Sequence, residues 1–352
     1  MSINTLAHVF TPHGNIVYTA NDFRQTVRIA VAGTIALSIS TFYDVQYGVF
    51  FVVYPLMLMS LVPMFNLHVA RQFIFSAAVN CVEMVLIVGY LSQWPVIMTL
   101  VVFALYVMRF RFMSQGPLFL LGSMGVVCQS TMLNFMSYPT SNWHTLMFSN
   151  MEACVMAVAL SALLHYLIPD VEPRKPPPRI EKDAARIRHE SLLSGTVATI
   201  IFVVFQICDL SDSLSALMAG ILFPMHYRGA VISSIWRVVG VVLACLYILV
   251  VQLIIYDFSN HMILMMPLIG LGLAFSARLH VMEKVGAGVG FASITTIGIM
   301  FGQNLHPYQD LVFSDLYRIT SVTVSLVVTL TLVFLMHRLL NCFAATRFVV
   351  SD

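Results

Sequence analysis

Charge is scarce in this chain. Asp, Glu, Lys and Arg make up 10% of the 352 residues, against about 25% in an ordinary soluble domain. With 59% hydrophobic residues and a mean hydropathy of +0.88, a soluble fold is excluded, because it has too little interior to hide that much apolar surface. Apolar–polar alternation over roughly ten residues is also missing, which excludes a membrane β-barrel. Stretches such as VVLACLYILVVQLIIY are apolar on every side instead. The start, MSINTLAHVFTPHGNIVYTANDFRQ, lacks a basic segment followed by an apolar core, so no cleavable signal peptide is expected and the first spanning helix serves as the targeting signal. Cysteines are dispersed singly through apolar segments (Cys81, Cys128, Cys154, Cys208, Cys245 and Cys342), a pattern of packed small hydrophobes and not of disulfides or a metal site. No HExxH, nucleophile elbow or phosphate loop occurs. Gly286, Gly288 and Gly290 follow no strand and precede no lysine–serine pair, so close helix packing explains them better. No cofactor, metal, nucleic acid or enzymatic reaction is expected.

What the chain has is a series of apolar runs long enough to cross a bilayer, each needing about 20 residues. Twelve spans are expected, at about 27–43, 47–64, 72–93, 95–112, 116–136, 147–168, 191–208, 212–226, 230–256, 260–277, 284–303 and 317–340. With the N-terminus in the cytoplasm, the basic residues sort almost wholly inward, and only Arg318 of the 18 Lys and Arg is expected outside. Expected outer loops carry Asp44, Asp209, Asp212, Asp257, Asp310 and Asp315. The fold class is therefore an all-α polytopic membrane protein with both termini cytoplasmic. The stretch DVEPRKPPPRIEKDAARIRHE divides it into a first six-helix unit (1–169), a cytoplasmic linker (170–190) and a second six-helix unit (191–352). RIAVAGTIALSISTFYD and RHESLLSGTVATIIFVVFQICD open the two units, and matching positions lie about 160 to 170 apart. Six spans return to the same side, so these are expected to be parallel repeats, an arrangement common in transporters.

FRQTVRIAVAGTIAL leading to YGVFFVVYPLMLM, a basic turn at HVARQF, and a second copy after a cytoplasmic connection resemble the fusaric acid resistance and aromatic acid exporter family of bacterial inner-membrane proteins. The resemblance covers essentially the whole chain. Larger members of that family place a sizeable soluble domain between the halves, where this chain has about 20 linker residues, so that domain's role does not transfer. The resemblance implies proton-coupled efflux of small aromatic or amphipathic organic acids, with a periplasmic membrane-fusion adaptor as partner; a homo-oligomer stays open. Two rivals stand beside it: an anion channel of the malate-channel type, whose plant family shares the six-helix unit, and a polytopic membrane enzyme.

Glu83 sits near the middle of the apolar stretch FSAAVNCVEMVLIVGYL. A carboxylate facing lipid at that depth costs some 2.5 to 3.5 kcal/mol on insertion scales, so it is expected to face the bundle interior, where it can gain and lose a proton. Its own span has no cation, and Asn80, one turn earlier, is placed to meet the protonated form. Glu152, at the start of the sixth span, is a candidate for proton entry or a carboxylate complementing a helix start. Arg109 and Arg278, in equivalent places of the two halves, are expected either to draw an anion from the cytoplasm or to anchor their helices at the interface. Arg237 lies a turn or two inside its span and needs a partner or a ligand. Tyr54–Pro55 and Phe223–Pro224 occupy matching places, where a proline interrupts the helix at a midplane substrate site or merely kinks it. The expected site is thus Glu83 and Glu152 for the proton, and Tyr54, Arg109, Phe223, Arg237 and Arg278 for an organic anion.

Overall fold

A computed structural model describes residues 18–136, 142–174, 182–208, 227–255, 262–284, 288–304, 311–343 and 346–347. These residues form eleven α-helices and no strand: α1 (Ala20–Phe42), α2 (Gly48–Leu61), α3 (Leu67–Leu86), α4 (Pro95–Gln115), α5 (Phe119–Met136), α6 (Trp143–Leu167), α7 (Ala184–Cys208), α8 (Tyr227–Ile255), α9 (Met262–Glu283), α10 (Val289–Asn304) and α11 (Leu311–Asn341). Nine are long and apolar enough to cross a membrane, while α2 and α10 are shorter. Large apolar side chains such as Phe75, Leu86, Tyr90, Val96 and Leu100 point outward from α3 and the following helix, a surface that lipid accepts and water does not. The chain is a multi-pass membrane protein. The expected span at 212–226 lies outside the described residues.

Local chemistry sets the helix limits. Thr19 and Asp22 form a reciprocal capping box at the start of α1, Asn66 caps α3 by accepting from Val69 N at 2.9 Å, and Asn142 caps α6. Pro95 opens α4 at a position where a missing N–H costs nothing. α3 passes without a break into a π-helical turn at Ile87–Leu91. The expected interruption at Pro55 does not occur: α2 runs through it from Gly48 to Leu61. Almost every residue of α2 is buried, so neighbouring helices hold it in one continuous run where the proline removes a hydrogen bond.

α2 is the centre of the bundle. It packs against α1, α6 and α10, and Gly298 and Gly302 of α10 leave room for its Val52, Leu56 and Val49. Further out, α1 lies along α9, α4 along α7, α3 against α5 and α6, and α8 against α10 and α11.

Polar contacts gather a set of helix ends on one face. Arg28 near the start of α1 bonds the Ile168 carbonyl at 3.0 Å and Asp170 at 2.9 Å, past the end of α6. His280 at the end of α9 donates to the Ser60 carbonyl of α2 at 2.9 Å. Glu190 in the first turns of α7 accepts from Ser114 of α4 at 2.7 Å and pairs with Lys182 and Arg186. α7 begins at Ala184, so the charged end of the expected linker is already helical.

Candidate functional site

The buried face of α3 carries a polar ladder at a spacing of four: Gln72, Ser76 and Asn80. It docks on the start of α5, Gln72 donating to the Pro117 carbonyl at 3.0 Å and accepting from Leu121 N at 3.1 Å, and Ser76 donating to the Leu121 carbonyl at 3.2 Å. Glu83 lies one turn further along. Asn80 does not meet it; its amide donates back to the Ser76 carbonyl at 2.7 Å.

α4 packs on the same helix α5. A Cβ at Gly122 would fall 2.6 Å from the Arg109 carbonyl oxygen, and a Cβ at Gly125 would fall 1.7 Å from Arg109 Nη1. The guanidinium therefore crosses α5 over Gly125, in space that only glycine leaves, and forms an ion pair with Glu83 beyond it. Helix direction makes the reach possible. Arg109 lies 14 residues past Pro95 and Glu83 lies 8 residues before Leu91, an axial offset of about 9 Å at 1.5 Å per residue. Side chains lean toward the N-terminus of their own helix, so in this antiparallel pair Glu83 leans away from the connecting turn and Arg109 leans toward it. The lean and the long arginine stem close the gap.

Arg109 is 3% exposed and Glu83 14%, so the carboxylate is the open side of the pair and the guanidinium the sealed side. Around them runs a network from five helices. Ser130 gives its proton to the Val126 carbonyl at 2.6 Å, which leaves Tyr106 to donate to Ser130 at 2.9 Å. Tyr54 donates to Asn150 Oδ1 and so accepts from the Cys128 thiol at 3.2 Å. Asn150 reaches Cys81 Sγ at 3.6 Å. Asn80 Oδ1, Arg109 Nε and both amide atoms of Gln129 are buried with no hydrogen-bond partner among the described residues. Each bare polar atom in a dry interior costs about 1 to 3 kcal/mol, which marks a place that water or a ligand completes.

The other expected site residues fall elsewhere. Tyr54 belongs to the network, fully buried. Glu152 lies on the exposed stripe of α6 with Phe148 and Val155, turned away from the pair. Arg278 is exposed at the end of α9, its guanidinium 5.4 Å from the centre of the Tyr18 ring. Phe223 lies outside the described residues. Arg237 is buried in α8 near Arg318 of α11, close enough for their charges to interact, and Asp315 and Cys245 adjoin them. This corrects the expectation that Asp315 lies in an outer loop: α11 starts at Leu311, earlier than hydropathy places it, and carries Asp315 and Arg318 inside the bundle. A cavity of about 800 Å³, lined by Asn21, Gln25, Ser60, Arg174, His280 and Lys284 among others, opens at the face where the helix ends gather; neither Glu83 nor Arg109 lines it.

Sequence reasoning found Glu83 and Arg109 separately and missed Gly125, Gln129 and Tyr106. The signal for the glycines was the spacing Gly122–Gly125 in an apolar run, a small-residue face suited to close helix approach. Among the described residues no group of three His, Cys, Asp or Glu is arranged to hold a metal ion.

Fold and site define a polytopic helical membrane protein with a buried acid–base pair in an incompletely bonded polar core. Residues 25–164, from α1 to α6 and including the whole pair, match the model of a family described as "Protein of unknown function (DUF2955)". No curated protein and no solved structure matches the chain.

Proposed function

We propose that the protein is a secondary transporter of the bacterial inner membrane that exports small aromatic or amphipathic organic acids with proton coupling, in partnership with a periplasmic adaptor. The observation that carries this reading is the Glu83–Arg109 pair. A charge near the bilayer centre is costly and is kept where it serves an ion or substrate path. A cation beside bare amide groups suits an incoming carboxylate, and a carboxylate released from that cation into a dry interior suits a proton. The adaptor and the direction of export rest on the resemblance to the fusaric acid resistance and aromatic acid exporter family.

Two six-helix repeats with cytoplasmic termini belong to the same proposal. Helix packing supports them: α1 on α9 is answered by α7 on α4, α3 on α5 by α8 on α10, and α3 on α6 by α8 on α11. The contact of Cys81 with Asn150 is answered by that of Cys245 with Asp315, displaced by 164 and 165 positions. The family match over 25–164 falls within the first repeat. In this topology the gathered helix ends, with Arg28, Arg174, Lys182 and Lys284, face the cytoplasm.

Reconstituted vesicles loaded with benzoate separate transporter from channel. The expected result is efflux that saturates with benzoate and responds to an imposed pH difference. A current that reverses at benzoate's own equilibrium potential and ignores pH would establish the channel instead.

A further inference from the structure

We propose that Glu83 and Arg109 form one site that takes up a carboxylate and a proton together, one of each, with the proton on Glu83 and the carboxylate on Arg109. The inference deepens the transport reading and rests on it. Three observations lead there. First, Arg109 is sealed: it is 3% exposed, with α5 beneath it at Gly125, and Glu83 holds its guanidinium. An anion therefore reaches the guanidinium by taking the place of Glu83. Second, a displaced Glu83 has no other cation to turn to. Among the described residues Arg109 is its one ion-pair partner. The titratable groups that line the surrounding network are Cys81 on its own helix, Tyr54 of α2, Tyr106 of α4, Cys128 of α5 and Cys154 of α6, all neutral in their ordinary state, and Glu152 of α6 points away. A bare carboxylate in this apolar surround is disfavoured, and a proton from solution neutralises it. Third, the surround has room in its bonding for the newcomer. The Gln129 amide, one turn past Gly125, offers an unused donor and acceptor, and Asn80 Oδ1 an unused acceptor.

The balance is simple. The Glu83–Arg109 ion pair breaks, a carboxylate–Arg109 ion pair forms, and one proton moves from solution to the Glu83 carboxylate, so the site's net charge is unchanged. The transported unit is then equivalent to the neutral acid. Membrane potential does no work on it, and net flow follows the acid's gradient and the pH difference together. Export on these terms requires the acid to accumulate inside, and a proton leaves with it. This differs from exchange of an outgoing acid for an incoming proton.

Calorimetric titration of the purified full chain with benzoate, in two buffers of different ionisation enthalpy near neutral pH, counts the protons directly. The expected result is about one proton taken up per benzoate, with affinity falling about tenfold for each unit rise in pH. Glu83→Gln, which mimics the protonated acid, should bind benzoate at least as tightly, without proton uptake and without the pH slope. Benzoate bound by the natural protein with no proton uptake, or with proton release, overturns the linkage and leaves the transport reading standing. No benzoate bound by either protein overturns both. The proton count on the natural protein decides the question even if the variant fails to fold.

Discussion

Removing one member of a buried ion pair is worse than removing both, because the survivor keeps its desolvation cost and loses its partner. Arg109→Ala should therefore destabilise the protein by about 3 to 5 kcal/mol, whereas the double change Glu83→Leu with Arg109→Met should recover most of that loss. Melting temperatures in detergent check this, and a double variant as unstable as the single one would show that the pair is not held as described. Glu83 was legible in the sequence because a charge inside an apolar run has few innocent explanations. Its partner was not. Arg109 lies near the basic end of its span and reads there as an interfacial anchor, and a sequence does not say that the guanidinium crosses a third helix to reach α3. The crossing depends on Gly125, whose importance lies in the 1.7 Å clash that a Cβ would make with Nη1. The same blindness applies to Arg318, read as the one outward cation at the very start of its span, although its helix begins at Leu311 and buries it.

Helix contacts depend on where backbones approach. α7 meets α4 at Gly195, where a Cβ would lie 2.5 Å from Val107 Cγ2 and 3.1 Å from its Cα. Gly195→Leu should overpack this seam and cost about 1 to 3 kcal/mol. Gly89, in the π-helical turn, has nothing within 4 Å of its missing Cβ, so Gly89→Ala should stay within about 0.5 kcal/mol of the natural protein. Equal melting temperatures for the two variants would contradict the seam. Most elements could be read from hydropathy, but not where they begin: Thr19 and Asn66 cap α1 and α3, which start at Ala20 and Leu67, ahead of the apolar runs expected from about 27 and about 72. α2 was the exception in kind. Tyr54–Pro55 suggested either a broken or a merely kinked helix; it is continuous because it is buried on all sides, and burial is a property of the neighbours and not of the local sequence. Gly290 was read correctly as a packing glycine, since a Cβ there would fall 2.1 Å from His280 N.

At the scale of the whole molecule, membrane residence follows from composition, because the hydrophobic effect leaves no other home for nine long apolar helices. The packing of α1 on α9 and of α4 on α7 joins segments far apart in the chain and was not legible in the sequence. The stretch of the proposed second repeat that matches Glu83 has Gln252 and no acid, so a difference between the two repeats at depth was legible in the sequence. The first holds a paired acid and base with bare amides around it; the second buries Arg237, Arg318 and Asp315. In the proposed mechanism the first of these sites links acid movement to a proton through Glu83. That link is tested most directly by benzoate flux in vesicles containing natural protein or Glu83→Gln, measured as net flow under an imposed pH difference and as one-for-one exchange without one. The variant is expected to keep exchange and lose the response of net flow to pH, while the natural protein shows both. Net flow through Glu83→Gln that follows the pH difference at the natural rate would contradict the link.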